Sequence, residues 1–432
     1  VKALRRKCPT MRHVHDTAGD PPLRRRPAGF EGLARIIVGQ QLSVASASAI
    51  WERTVAACRP FEPGSLLALG DGRLAQAGLS RVVVLEKRYP MYGGSGRNGG
   101  GVRAQWASLA NLELARDSIP LWRGVAQELG LHTWFRQSGY LMLARDGAML
   151  AAMRERARFQ RAHGVATTIL SRDEASDLAP AVDTARYVGA SYCPDDAVIF
   201  PWPVVNGLRE ACERLGVEVH TRTPVTGFSC ERGRIVEART PQARFRPGWV
   251  VNAAGEWSAE VARLAGVGLP NRPVRHQIFV TEALRPMLDP MVVDMATGLY
   301  VSQDGRGELV AGLGDRAELA EVTTASSLEF LARVARGLVE LMPSVGAVHA
   351  MRQWAGTYDM TPDHVPNLGP HPELGNFLQL NGFSGHGFMV SPVVTRVTAR
   401  IVLGREPGLD LGRYVSDRFD RGTAEPEAMV VG

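Results

Sequence analysis

Apolar positions first recur at helical spacing from Gly29 onward, at Phe30, Leu33, Ile37 and Val38 and again at Ala45, Ala49 and Trp51. That period predicts amphipathic helix. Pro60 and Pro63 interrupt it, and Ser65 opens a short helix that closes at Gly70. At Arg81 the pattern changes. Val82, Val83, Val84 and Leu85 form a β-branched run of the kind found in buried parallel strands, ending in Glu86. Helices are predicted over 106–130, 147–164 and 204–215. The last carries Val205, Leu208, Cys212 and Leu215 on one face, stops at Gly216 and leads into a strand over 217–220. Another strand, 249–252, runs into Ala253, Ala254 and Gly255, and a helix over 327–341 closes at Pro343. Strand and helix alternate without an internal repeat, which predicts a mixed α/β protein behind an all-helical front.

Composition narrows the function classes. The chain has 432 residues, 45% hydrophobic and 22% charged, enough for two or three domains. Its net charge of +6 invites a nucleic-acid reading. The excess, however, sits wholly in residues 1–26, where Lys2, Arg5, Arg6, Lys7, Arg12, Arg24, Arg25 and Arg26 face only Asp16 and Asp20. The rest is neutral on balance, so nucleic acid is not expected as a partner of the main body. Cys8, Cys58, Cys193, Cys212 and Cys230 have no paired spacing, so neither a disulfide framework nor a metal site is expected. No apolar run reaches the roughly 20 residues of a membrane helix, and the opening residues lack the apolar region of a secretory signal. A cytoplasmic location is the resulting expectation.

Chemistry is first suggested by Glu86. An acidic residue ending a parallel strand accepts hydrogen bonds from ribose hydroxyls in dinucleotide folds, although a lone strand-terminal Glu is more often an ordinary solvated residue. Its surroundings strengthen the reading. Five blocks follow in order: VVVLEKRYPMYGGSGRNGGGVRAQW (82–106), DDAVIFPWPVVNGLREACERLGVEVHTRTPVTGF (195–228), WVVNAAGEWS (249–258), TYDMTPDHVPNLGP (357–370) and LNGFSGHGFMVSP (380–392). Together, from Arg81 to about Leu411, they resemble the D-amino-acid oxidase superfamily of FAD-dependent amine oxidoreductases. The nearest branch holds sarcosine oxidase beta subunits, glycine oxidase and related secondary-amine dehydrogenases.

The resemblance implies FAD as cofactor and oxidation of the C–N bond of an amino acid or secondary amine by hydride transfer to flavin N5. It implies cofactor contacts at Glu86, Lys87, Arg97, Asn98, Gly99, Val225, Ala254, Gly255, Gly382, Gly385, His386, Gly387, Phe388 and Met389. A helix starting near Gly387 would direct its amides and dipole at the edge of the flavin where negative charge develops. Tyr358 and His386 are the candidates for orienting substrate or tuning the ring, and His276 and Arg352 for contacting the substrate carboxylate or the flavin. The electron acceptor would be oxygen or a redox partner, and other oxidase subunits are the expected protein partners. Gly356 stands where some sarcosine oxidases attach FAD through cysteine, which makes the FAD non-covalent. Met389 stands where those enzymes grip the substrate carboxylate with lysine, which favours a larger secondary amine or imino acid over sarcosine.

The front of the chain departs from this pattern. The superfamily begins with a strand and a GxGxxG turn about 20 residues before the acidic residue. Gly70 to Ala75 fits only loosely, and Gly94 to Gly99 follows the acidic strand rather than preceding it. Instead, PPLRRRPAGFEGLARIIVGQQLSVASASAIWERT (21–54), continuing to about Arg81, resembles the front of helical DNA-3-methyladenine glycosylases, whose DNA clamp and aspartate do not follow. The expected architecture is therefore α/β, a gene fusion in outline. A basic arm (1–26) and a helical glycosylase-like appendage (27–81) precede a Rossmann-like FAD domain (82–145, 196–275, 351–415) lacking its first strand and GxGxxG turn. A sheet-based substrate domain (146–195, 276–350) is inserted, and a tail (416–432) follows. A glycosylase-derived DNA-binding segment in 1–81 and a flavin-free remnant stay open as alternatives.

Overall fold

The structure, a computed structural model, describes residues 82–430 apart from 316, 317 and 319. The basic arm, the helical appendage and the expectation that no strand and glycine turn precede Glu86 all lie outside the described residues.

The run ending in Glu86 forms the strand Val83–Leu85, paired in parallel with Glu218–His220. Between them in sequence lies the helix Pro201–Arg214, whose first position is a proline, where a missing N–H costs nothing. A second parallel pair joins Val250–Asn252 to Leu374–Asn381, which also pairs antiparallel with Asn367–His371. Among the described residues Val83–Leu85 and Val250–Asn252 each pair with one strand only, and Val84 and Val251 on those strands are each 40% exposed.

An eight-stranded sheet dominates the rest, in the order Ala350–Met360, Arg272–Ala283, Glu308–Leu313, Leu299–Gln303, Met291–Asp294, Tyr140–Ala144, Gly189–Cys193 and Thr168–Leu170. It takes strands from both sides of positions 145 and 350. Side chains alternate between its faces. Leu141, Leu143, Val292, Val301 and Leu309 pack under the helix Leu328–Leu341 through Phe330, Val334, Leu338 and Leu341. Tyr140, Met142, Met291 and Val293 turn the other way, into the core shared with the helices Leu109–Leu129 and Gly387–Val402. These two helices lock together where Trp122 Nε1 donates to Met389 O at 2.7 Å and Ser118 Oγ to Val390 O at 3.2 Å. From Val83 onward, the predicted helices and strands occur within a few residues of their expected bounds.

Residues 416–430 are packed against this body. Arg418 is 1% exposed and forms a bidentate pair with Asp363, at 2.7 and 2.9 Å. Glu427 and Met429 are buried as well. Among the described residues no helix is long and apolar enough to cross a membrane, and no group of His, Cys, Asp or Glu could hold a metal ion.

Candidate active site

The pocket lies between the inward face of the large sheet and the start of the helix Gly387–Val402. Asn98, Gly99, Arg103, Trp106, Tyr140, Tyr300, Tyr358, His386 and Met389 line it. Its wall is built by strand alternation. His276 and Tyr358 lie on neighbouring antiparallel strands, and their rings stack with centroids 4.7 Å apart. His276 Nε2 is 2.9 Å from the Tyr300 hydroxyl. Arg275 and Gln277, one position either side, face the opposite surface. There a cavity of about 250 Å³ is lined by charged groups that include two ion pairs, Arg275 with Glu318 and Arg333 with Asp315.

Two glycines let tyrosines into the pocket. A Cβ on Gly101 would lie 1.8 Å from the Tyr140 hydroxyl, and one on Gly385 would lie 2.5 Å from the Tyr358 ring. Gly385 also has a φ of +90°, which L side chains rarely adopt.

The pocket is electrically quiet. Burial pushes His276 down to about 4, and burial with the nearby Arg103 charge pushes His386 down to about 3, so both imidazoles are neutral at neutral pH. Burial raises the phenols of Tyr140, Tyr300 and Tyr358 far above neutrality. Among the described residues lining the pocket, Arg103 alone carries a fixed charge. Its guanidinium sits 3.7 Å from the centroid of the Trp106 ring. Nη1 donates to Gln105 O at 2.7 Å and Nη2 to Met429 O. Behind it, Asp196 accepts from Ala104 N at 2.7 Å and Gln105 Nε2 at 3.0 Å, and burial pushes its carboxyl up to about 7.

Of the residues proposed from sequence, the structure gathers Asn98, Gly99, His276, Tyr358, Gly385, His386, Phe388 and Met389 at or beside this pocket. Arg352 is elsewhere. Its side chain is 59% exposed and its acidic neighbour is Glu308, 3.8 Å away. Arg97 spends its guanidinium on the carbonyls of Tyr92 and Ala355. Glu86 receives Arg88 N at 2.6 Å, and Lys87 lies over the Trp257 ring. Val225 packs on a small core with Phe228 and Phe377. Sequence reasoning missed Arg103, Trp106, Tyr140, Tyr300 and Asp196. Arg103 and Trp106 stand inside the block 82–106, where an arginine two residues past a glycine run was the available signal. Nothing in the sequence marks the two tyrosines.

The arrangement suits a flat, polar-edged cofactor. The helix Gly387–Val402 starts without any side-chain cap, so its first amides are offered to a ligand at the pocket. His386 Nε2 donates to Asn111 Oδ1 at 3.3 Å, which leaves Nδ1 as a buried acceptor without a partner. At the end of Val250–Asn252, Asn252 Oδ1 is likewise buried with no hydrogen-bond partner among the described residues, and Ser258 Oγ is buried beside it. Gly255 beside them has a φ of +55° and open space where a Cβ would stand.

An α/β protein whose parallel strand runs into Glu86, with an uncapped helix opening onto a largely neutral aromatic pocket, has the architecture of a flavoenzyme. The family model for FAD dependent oxidoreductases (DAO) matches residues 73–401, and the chain belongs to that family. It is 29% identical over 349 residues to sarcosine oxidase subunit beta of Rhizobium meliloti (strain 1021), covering 80% of this chain and 83% of that protein. L-proline dehydrogenase from P. horikoshii superposes with a TM-score of 0.76 at 30% identity, over 81% of this chain and 94% of that one. Glycine oxidase from Geobacillus kaustophilus shares the fold, with a TM-score of 0.73 at 23% identity over 78% and 92% of the two chains. FAD is therefore the cofactor, and the unpartnered acceptors, bare glycines and uncapped helix start fit it.

Proposed function

We propose that this pocket oxidises the carbon–nitrogen bond of a carboxylate-bearing amine, either an amino acid or an N-substituted or cyclic imino acid. The observation that carries the reading is Arg103, a single fixed cation in an otherwise neutral aromatic pocket. An arginine has five donors in a planar fork suited to carboxylates. Two of those on Arg103 go to backbone carbonyls among the described residues. The others suit a substrate carboxylate, and the burial of Arg103 at the pocket favours it for that role over the exposed Arg352. Met389 borders the pocket where other enzymes of this branch place a lysine, so Arg103 would hold the carboxylate without that help.

The neutral wall has a consequence for the amine. With His276 and His386 uncharged and the tyrosines protonated, the described residues of the wall offer no anion to stabilise an ammonium, so burial favours the neutral amine that oxidation requires. Tyr358 and His276 hold each other by stacking and fix the substrate's position. When bound, FAD supplies the acceptor for the hydride lost from the α-carbon. Glu86 would hold its ribose, Asn252, Gly255 and Ser258 its middle, and the start of Gly387–Val402 with His386 the ring edge. No cysteine follows Cys230, in keeping with non-covalent attachment. The Rhizobium meliloti relative is a subunit, and we extend that to assembly of this chain with other oxidase subunits, passing electrons to oxygen or to a redox partner.

The test is flavin content followed by anaerobic bleaching. Purified protein should be yellow, and N-methyl amino acids or cyclic imino acids should bleach it at least tenfold faster than the same amines without their carboxylate. A protein that stays colourless with added FAD, or that bleaches equally with both sets, overturns the reading.

A further inference from the structure

The segment after the last helix takes part in the pocket. Glu427 is 3% exposed, and its carboxylate accepts from Ala107 N at 3.1 Å, Ser108 N at 2.8 Å, Ser108 Oγ at 2.7 Å and Met429 N at 2.7 Å. It thus sits at the start of the helix Leu109–Leu129, where free amides and the helix dipole favour a negative charge. Its own N–H donates to Asp363 O at 2.9 Å, next to the Arg418–Asp363 pair. Two residues on, Met429 is buried in the core and its carbonyl receives the Arg103 guanidinium. Val430 lines the pocket.

We infer that residues 425–430 form a specificity strap for the pocket. Glu427 is its catch, Met429 O fixes the angle of the Arg103 fork, and Val430 limits the size of the group that enters. Arg103 has one backbone carbonyl from its own loop, Gln105 O, and one from the strap. With Gln105 O and the Trp106 ring alone, the guanidinium would stay against the ring but could turn upon it. With both carbonyls, the fork is preorganised and less rotamer entropy is lost when a carboxylate binds. Glu427 therefore acts on the substrate through Arg103 without touching it, which makes it a positioning residue. The inference rests on Arg103 being the carboxylate anchor proposed above.

Calorimetric titration with benzoate and with benzyl alcohol, on the full chain with its flavin, tests both statements separately. The unaltered protein is expected to bind benzoate at least tenfold more tightly than the alcohol, and Arg103→Met should abolish that preference. Equal binding of the two probes to the unaltered protein overturns the anchor reading itself. Glu427→Ala should reduce the preference at least fivefold while leaving affinity for the alcohol within twofold, and Glu427→Gln should lie between. A preference that survives intact in a folded Glu427→Ala protein overturns the strap and leaves the anchor standing. Should that variant fail to fold, Val430→Ala decides. It keeps every strap hydrogen bond and should bind 4-tert-butylbenzoate at least threefold more tightly relative to benzoate; an unchanged ratio overturns the strap.

Discussion

His276 Nε2 lies 2.9 Å from the Tyr300 hydroxyl, inside a wall that also stacks Tyr358 against the imidazole. His276 is buried and Tyr300 half-buried at the pocket wall, so the imidazole has little access to water as a substitute partner. Tyr300→Phe leaves the imidazole nitrogen unpaired and is expected to cost about 1–3 kcal/mol of stability. Urea unfolding should show the loss as a lower midpoint with an unchanged slope; an unchanged midpoint would show that the pair contributes nothing net.

Arg103→Lys is expected to behave as a disruptive change. Lysine keeps the charge but loses the fork and the flat stacking on Trp106. Losing a hydrogen bond to a charged group costs about 1.5–3 kcal/mol, so kcat/KM for carboxylate-bearing amines should fall by roughly 10- to 100-fold, mainly through KM. Steady-state kinetics with an amine lacking the carboxylate should show less than a threefold change, on the order of ordinary peripheral substitutions (below about 0.7 kcal/mol).

The pH dependence of stability should reveal two opposed pairs of buried groups. His276 and His386 have folded values pushed down to about 4 and 3, so on folding they give up protons below the ordinary value of 6.5. Their contribution is complete above pH 6.5 and is lost as pH falls toward 4 and then 3. Asp196 and Asp359 are pushed up to about 7 from 3.8, so they bind protons on folding. Their contribution is present below pH 3.8 and is lost as pH rises toward 7. Between about pH 4 and 6.5 the two effects oppose each other. Asp196→Asn removes one acid, so stability should then rise more steeply with pH across that window, by up to about 1.4 kcal/mol per pH unit for the proton involved. Melting curves that run parallel for the two proteins from pH 4 to 6.5 would contradict this.

Arg418 and Asp363 form a pair that is almost fully buried, at 1% and 3% side-chain exposure. Arg418 also reaches Asn367 Oδ1 at 2.9 Å; Asn367 donates to Asn271 and Asn381, and Asn271 in turn donates to Asp359. Arg418→Met would strand a buried carboxylate at the end of this chain of amides. The expected cost is about 3–5 kcal/mol, read by denaturant unfolding, and Arg418→Met with Asp363→Leu should recover part of it. A single variant within 1 kcal/mol of the parent, roughly the scale of an exposed pair, would show that the pair is dispensable.

Gly385→Ala puts a methyl group 2.5 Å from the Tyr358 ring at a φ of +90°. Tyr358 must then move within the pocket, so the flavin content of the purified protein should drop at least severalfold. Visible absorbance per polypeptide measures it directly, and full occupancy would refute the fit.

Much of this organisation was legible along the chain. The run ending in Glu86, the helix closed by Gly216 and the one closed by Pro343 are local patterns, set by side-chain periodicity and by residues that cannot continue a helix. Val83–Leu85, Pro201–Arg214 and Leu328–Leu341 follow from them. The blocks at 357–370 and 380–392 located Tyr358 and His386 for the same reason, because both sit in short contiguous motifs. Arg352 shows where that reasoning stops. Strand alternation and the pairing with Glu308 put its side chain in solvent, and no local pattern distinguishes it from an arginine that faces inward.

The sequence by itself determined the order of the described elements, because contiguous runs of glycine and β-branched residues impose local backbone conformation, and its five blocks carried the resemblance that pointed to the family and its FAD. It also showed that the net charge belongs to the first 26 residues and not to the catalytic body. Only the tertiary structure decided which charge reaches the pocket. Arg103 meets Met429 across 326 positions, and His276 meets Tyr358 across a strand pairing. Such contacts are chosen by how a sheet and two helices exclude water around them, a property of packing that no neighbourhood along the chain encodes.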